Sequence, residues 1–247
     1  MEVEICVDSL ESAIAAARGE AHRIELCSAL SEGGITPSFG LIQAVRDAID
    51  IDVYVIIRPR GGDFVYSEHE LRVMSNDILE AKALGVNGVV LGLLTPEETV
   101  DVARTRALVQ LARPLSVTFH RAFDTCEDLD SALEDVIACG ADRLLTSGGR
   151  FDASRGCRQI ARLREAAGKR IQIMAGGGVR PSNVRQLVQR TGVVAVHTSL
   201  NARADAGERD SVRFTNTSKT DAAAPFTIHE EDVRAFKAAL DGISAKV

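Results

Sequence analysis

Eight short runs rich in β-branched residues alternate with eight amphipathic runs, and this alternation restricts the fold more than any other feature of the chain. The strand-like runs are "EVEICV" (2–7), "HRIELC" (22–27), "DVYVIIR" (52–58), "NGVVLGLL" (87–94), "LSVTFH" (115–120), "DRLLTS" (142–147), "RIQIMA" (170–175) and "VVAVHT" (193–198). Between and after them lie helical patterns at 10–18, 38–49, 68–85, 96–112, 128–140, 156–168, 180–190 and 230–243. Strands separated by helices require parallel pairing through right-handed crossovers. Eight such units in 247 residues fit a closed (β/α)8 barrel of the α/β class. The alternative is a doubly wound open sheet. The first strand-to-helix turn, "VDSLESA", lacks the Gly-x-Gly-x-x-Gly of that architecture, and no shift in composition marks a second domain. One domain over 1–247 is the expectation.

Two helix starts carry a chemical signature. Ser67 with Glu70 and Thr95 with Glu98 fit capping boxes, and Pro96 would occupy a first helical turn. Gly85, Gly140 and Gly168 close helical runs where a left-handed residue commonly ends them. The polar segment 201–228 would lie over the C-terminal mouth of a barrel, as a lid or as a loop without a role.

Composition narrows the class. The formal net charge is −6, and no Lys/Arg-rich run offers a surface for nucleic acid or membrane. No apolar run reaches bilayer length, and the acidic start "MEVEICVDSLE" is unlike a secretory signal, so a cytosolic protein is expected. Five cysteines with no Cys-x-x-Cys suggest thiols rather than a disulfide framework or a zinc ribbon.

Charged residues inside the strand runs identify the site. On a barrel strand alternate residues face the interior, and a charge on the helix-facing side would be buried against apolar helices. The charged parity therefore points inward: Glu4, Cys6 and Asp8; Glu25 and Cys27; Arg58 and Arg60; His120; Gln172; His197 and Ser199. Asp63, Arg121 and Asp124 follow just beyond strand ends, where barrels carry their sites.

Three kinds of function compete for these residues. Cys6 and Cys27, on adjacent strands with the same parity, suit a soft ion such as Cu(I). Glu25, Arg58, Arg60, His120 and Asp124 suit acid–base or electrophilic catalysis on a small anionic or polyhydroxylated substrate. The glycines Gly176, Gly177 and Gly178, leading into a helix, fit either an anion or phosphate cradle or a plain tight turn. A non-catalytic scaffold is the third kind, with no positive feature in its favour. His22, His69 and His229 read as surface residues.

The runs "RIELCSALSEGGITPS", "IIRPRGGDFVYS", "VTFHRAFD", "LLTSGG", "MAGGGV" and "VRFTN", in this order from about residue 2 to about 215, resemble the CutC family of copper homeostasis proteins. The resemblance implies a TIM barrel, a cytoplasmic location, a homodimer, and copper bound as Cu(I) through the cysteines of "EICVDS" and "IELC", here Cys6 and Cys27, which makes copper binding the leading expectation and the enzyme at the mouth its alternative. After "VRFTN" the chain departs from the family pattern, reading "TSKTDAAAPFT".

Overall fold

The computed structural model describes residues 1–200 and 227–242. Eight parallel strands close into a barrel in chain order, β1 pairing with both β2 and β8. The strands are β1 (Glu2–Val7), β2 (Arg23–Leu26), β3 (Asp52–Ile56), β4 (Gly88–Leu91), β5 (Ser116–Phe119), β6 (Arg143–Thr146), β7 (Gln172–Ala175) and β8 (Ala195–Thr198). The helices are α1 (Leu10–Arg18), α2 (Phe39–Ala48), α3 (Glu68–Ala83), α4 (Val102–Ala112), α5 (Leu129–Cys139), α6 (Ala153–Ala167), α7 (Pro181–Thr191) and α8 (Glu230–Ala238). Most of the segment expected over the mouth, 201–226, lies outside the described residues. No described helix is long and apolar enough to cross a membrane.

The main apolar core lies between the barrel and its helices. Ile5, Ile24, Val55, Leu91, Phe119, Leu144, Ile173 and Val196 are the helix-facing strand residues, and each is buried against side chains such as Ala13, Ile78 and Ile160. That shell fills the outer parity with hydrocarbon and leaves the inner parity to carry the polar groups.

The Ser67–Glu70 capping box is present at α3, with both reciprocal hydrogen bonds made. Gly85, Gly140 and Gly168 all have positive φ at helix ends. The helix expected from residue 96 begins six residues later. Thr95 closes a tight turn instead: its N–H donates to the Thr99 carbonyl at 2.8 Å, and its hydroxyl accepts from Glu97 N–H at 3.2 Å. Leu94 then pairs with Val100 in an antiparallel bridge. Val100 is thereby buried, and Asp101 caps α4 by accepting from Arg104 N–H at 3.1 Å. Two competing local partners outweigh the capping signature at Thr95.

Candidate functional site at the barrel mouth

The interior of the barrel combines polar networks with two small apolar clusters, Tyr54, Ile56 and Val90 beside the cysteines and Leu145, Met174 and Ala195 opposite. Its lower part is a closed network. Arg23 on β2 donates through Nε to Glu4 Oε2 at 2.6 Å, pairs with Glu2, and donates to Met174 Sδ at 3.1 Å. The Tyr54 ring on β3 lies beneath two guanidinium groups, Arg23 at 4.9 Å and Arg143 at 5.4 Å. Arg143 in turn bonds Gln172 and the Thr118 hydroxyl. Burial would push the Glu4 carboxyl up, but Arg23, reinforced by His197, outweighs it and holds the group at about 2.

The second oxygen of Glu4 leads to the upper layer, accepting from His197 Nδ1 at 2.7 Å. Burial opposes a charge on His197, yet Glu25, Cys6 and Glu4 around it hold the imidazole well above its ordinary value. Cys6 is the next inward residue on β1. Its thiol donates to Glu25 Oε1 at 3.6 Å and lies 3.7 Å from the sulfur of Cys27. The Cys27 neighbour and burial push the Cys6 thiol up strongly. One ligand atom each from Cys6, Glu25 and His197 falls within 4.8 Å of the others.

Above this cluster opens a cavity of about 590 Å³, lined by Cys6, Glu25, Arg58, His120 and His197 among others. Three buried atoms on residues lining it have no hydrogen-bond partner among the described residues, Glu25 Oε2, Arg58 Nε and His120 Nε2. Burial raises the Glu25 carboxyl, against the pull of His197. Burial, then the Arg58 cation, lowers His120 to about 3, so its ring is neutral. Its Nδ1 accepts from Ala122 N–H at 3.2 Å, which leaves the ring proton on Nε2. His120 fits because residue 92 is glycine: a Cβ there would sit 2.5 Å from His120 Nδ1.

The residues singled out by sequence divide by role. Cys6, Glu25, Arg58, His120, Arg121, Asp124, His197 and Ser199 all line the cavity. Arg58 is committed to the scaffold, donating to the carbonyls of Glu32, Gly34 and Gly62 at 2.7, 3.0 and 2.8 Å. Asp124 is saturated: Oδ1 accepts from the Thr146 hydroxyl and Gly149 N–H, and Oδ2 accepts from Arg121 Nε and the Ser147 hydroxyl. It positions the β6–α6 loop and Arg121. Arg60 does not join the cavity lining; its guanidinium bonds Glu70 at 2.5 Å and Asp63 at 3.0 Å over the Tyr66 ring. Cys27 is fully buried behind Cys6 and donates to the Val7 carbonyl at 3.4 Å.

Gly176, Gly177 and Gly178 form the turn between β7 and α7, the last two with φ of +92° and +67°. The guanidinium of Arg121 rests on Gly177, 3.1 Å from where a Cβ would be. Sequence reasoning passed over Arg23 and Arg143, although each lies at the inward parity of its own strand, and over Arg150 and Arg180 in the loops.

A (β/α)8 barrel with a polar, partly unsatisfied cavity at the C-terminal ends of its strands defines the class of fold. The model of the CutC family matches residues 1–202. A CutC family protein of Chromobacterium violaceum is 51% identical over 201 residues, covering 81% of each chain. The human protein named copper homeostasis protein cutC homolog is 46% identical over 216 residues, 87% of this chain and 78% of that one. The crystal structure of CutC from Streptococcus agalactiae superposes with a TM-score of 0.77 at 35% identity, covering 81% of this chain and 98% of that one. The chain belongs to the CutC family of copper homeostasis proteins.

Proposed function

We propose that the mouth is an enzyme site for a small polyhydroxylated molecule, with Glu25 as the proton-transferring group. One observation carries this: Glu25 Oε2 and His120 Nε2, on residues 5% and 6% exposed, lack partners while both residues line the same cavity. An unpaired buried polar atom costs about 1–3 kcal/mol. A substrate that bonds both would recover that cost. Glu25, whose carboxyl burial raises above its ordinary value, is placed to exchange a proton with a substrate atom. His120 presents a neutral Nε2–H to a substrate oxygen, and the His197 imidazolium, fixed by Glu4, stabilises negative charge beside it.

The test is solvent deuterium incorporation, read by proton NMR, into a panel of hydroxy acids, sugars and sugar phosphates. Exchange with the wild type and its loss in Glu25→Gln is the expected result. A Glu25→Gln variant that exchanges as the wild type does would exclude the role.

A second reading rests on a different distance. Two sulfurs 3.7 Å apart match the edge of a tetrahedron with metal–sulfur bonds of about 2.3 Å, which is ~3.8 Å. Cys6 and Cys27 would then hold a soft ion, Cu(I), entering through the cavity that Cys6 lines, with Glu25 and His197 near enough to complete the site. The copper homeostasis name of the human relative favours the same ion. Binding would displace the thiol protons. Anaerobic Cu(I) titration against a competing chelator decides it: tight binding should vanish in Cys6→Ser/Cys27→Ser, and binding indifferent to that change would discard the reading. Five free, buried thiols suit the reducing cytosol, which we carry as part of this proposal with the homodimer.

A further inference from the structure

The cavity lining includes four arginines, Arg58, Arg121, Arg150 and Arg180, and they are not equivalent. Arg58 spends both terminal nitrogens on backbone carbonyls and keeps only its buried Nε without a partner. The other three belong to the wall built by the loops after β5, β6 and β7, and each keeps free donors. Arg121 uses Nε on Asp124 and Nη2 on the Ser147 hydroxyl, leaving Nη1 against Gly177. Arg180 makes one side-chain bond, Nη1 to the Val179 carbonyl at 2.8 Å. The Arg150 guanidinium donates to no described residue, and neither it nor Arg180 has an ion pair among the described residues. The N–H groups of Gly177 and Gly178 likewise donate to no described group, in a turn whose positive φ values expose successive amides.

Two of the acids near this wall are engaged by neighbours, and three more, Glu127, Asp128 and Asp130, share a second cavity with Arg150. Asp124 is saturated by Arg121, Ser147, Thr146 and Gly149. Asp152, beside Gly178, caps α6 through Arg155 N–H at 2.8 Å and pairs with Arg155 Nε. Asp128 caps α5 and Asp130 pairs with Arg162. What remains is Arg180 and Arg150 without ion pairs among the described residues, the latter sharing its second cavity with Glu127, and amide donors around one end of a cavity whose other lining residues include the unpartnered, buried Glu25 and His120.

We infer that Arg121, Arg150, Arg180 and the Gly177–Gly178 amides form a phosphate subsite, so that the substrate is a phosphorylated polyhydroxylated small molecule with its reacting end at Glu25. This rests on the enzyme reading of the mouth and gives it a substrate class. Three guanidinium groups and two amides suit a tetrahedral dianion better than a planar carboxylate, which one guanidinium satisfies in bidentate fashion. The anion end is thus assigned to loop arginines rather than to Arg58 and Arg60, which the scaffold occupies.

The probe is inorganic phosphate, titrated at constant ionic strength by calorimetry into the wild type, Arg150→Gln/Arg180→Gln and Glu25→Gln. Both arginines are at least partly exposed, so the double variant should keep the wild-type melting temperature without phosphate. Saturable binding by the wild type, weakened tenfold or more in the double variant and changed less than twofold in Glu25→Gln, is expected. Acetate should not compete; competition equal to phosphate would overturn the phosphate class. Absent binding, or binding indifferent to the double variant, would overturn the subsite. Deuterium exchange lost in Glu25→Gln while phosphate binding persists separates this inference from the proton-transfer reading on which it rests.

Discussion

The lower and upper halves of the barrel interior are built from the same kinds of residue and treat them in opposite ways. Below, Arg23, Glu4, Glu2, Arg143 and Gln172 satisfy one another around the Tyr54 ring. Above, Glu25 and His120 are as deeply buried, yet each keeps an atom without a partner. Charge inside a fold therefore does not by itself signal function. Satisfied, it is scaffold, held because losing one member strands the rest; unsatisfied and facing a cavity, it waits for a ligand. Glu4 and His197 join the halves, so the lower network orients the upper cluster.

Acid should separate the two halves most strongly. His120 is held at about 3 in the folded protein against its usual 6.5. The unfolded chain then binds the proton first, so His120 stability is complete above pH 6.5 and is lost as pH falls toward 3, up to about 5 kcal/mol in total. Glu4 is held at about 2 against 4.5, so its contribution is present above pH 4.5 and lost as pH falls toward 2, about 3 kcal/mol. In urea denaturation as a function of pH, the difference between the wild type and His120→Asn should carry the His120 loss below 6.5, which the raised Glu25 carboxyl opposes down to 4.5, and the wild type should lose stability steeply below 4.5.

Arg23→Ala should destabilise by about 3–5 kcal/mol in urea, because it leaves Glu4 buried beside only His197. A loss below about 1 kcal/mol would erase the contrast between the halves. Gly92→Ala puts a methyl 2.5 Å from His120 Nδ1 and should cost about 1–3 kcal/mol while displacing the ring from the cavity. Glu25→Gln should change stability least, within about 1 kcal/mol, since the atom it alters already lacks a partner.

The barrel was legible because eight β-rich runs alternate with amphipathic ones and each strand's charged residues share one parity. That parity also brought Glu4, Cys6, Glu25, Arg58, His120 and His197 to the interior. It failed where the strand stops: β3 ends at Ile56, so Arg60 no longer follows the alternation and turns to Glu70. Arg150 and Arg180 lie in loops, where parity carries no information. Arg23 and Arg143 open their strands, and a charge at a strand's first residue reads as solvent-facing although both are buried here. Whether a buried group is satisfied depends on partners distant in sequence, as Glu4 and His197 are, and no local pattern reports it.

The most direct measurement is a carbon-13 NMR titration of glutamate carboxyls, with Glu25 assigned by its absence in Glu25→Gln. The upper layer requires Glu25 to take up its proton above the ordinary 4.5, because burial disfavours its charge. A Glu25 that stays ionised down to pH 4.5 or below would show a satisfied carboxylate, and the mouth would then be scaffold like the layer beneath it.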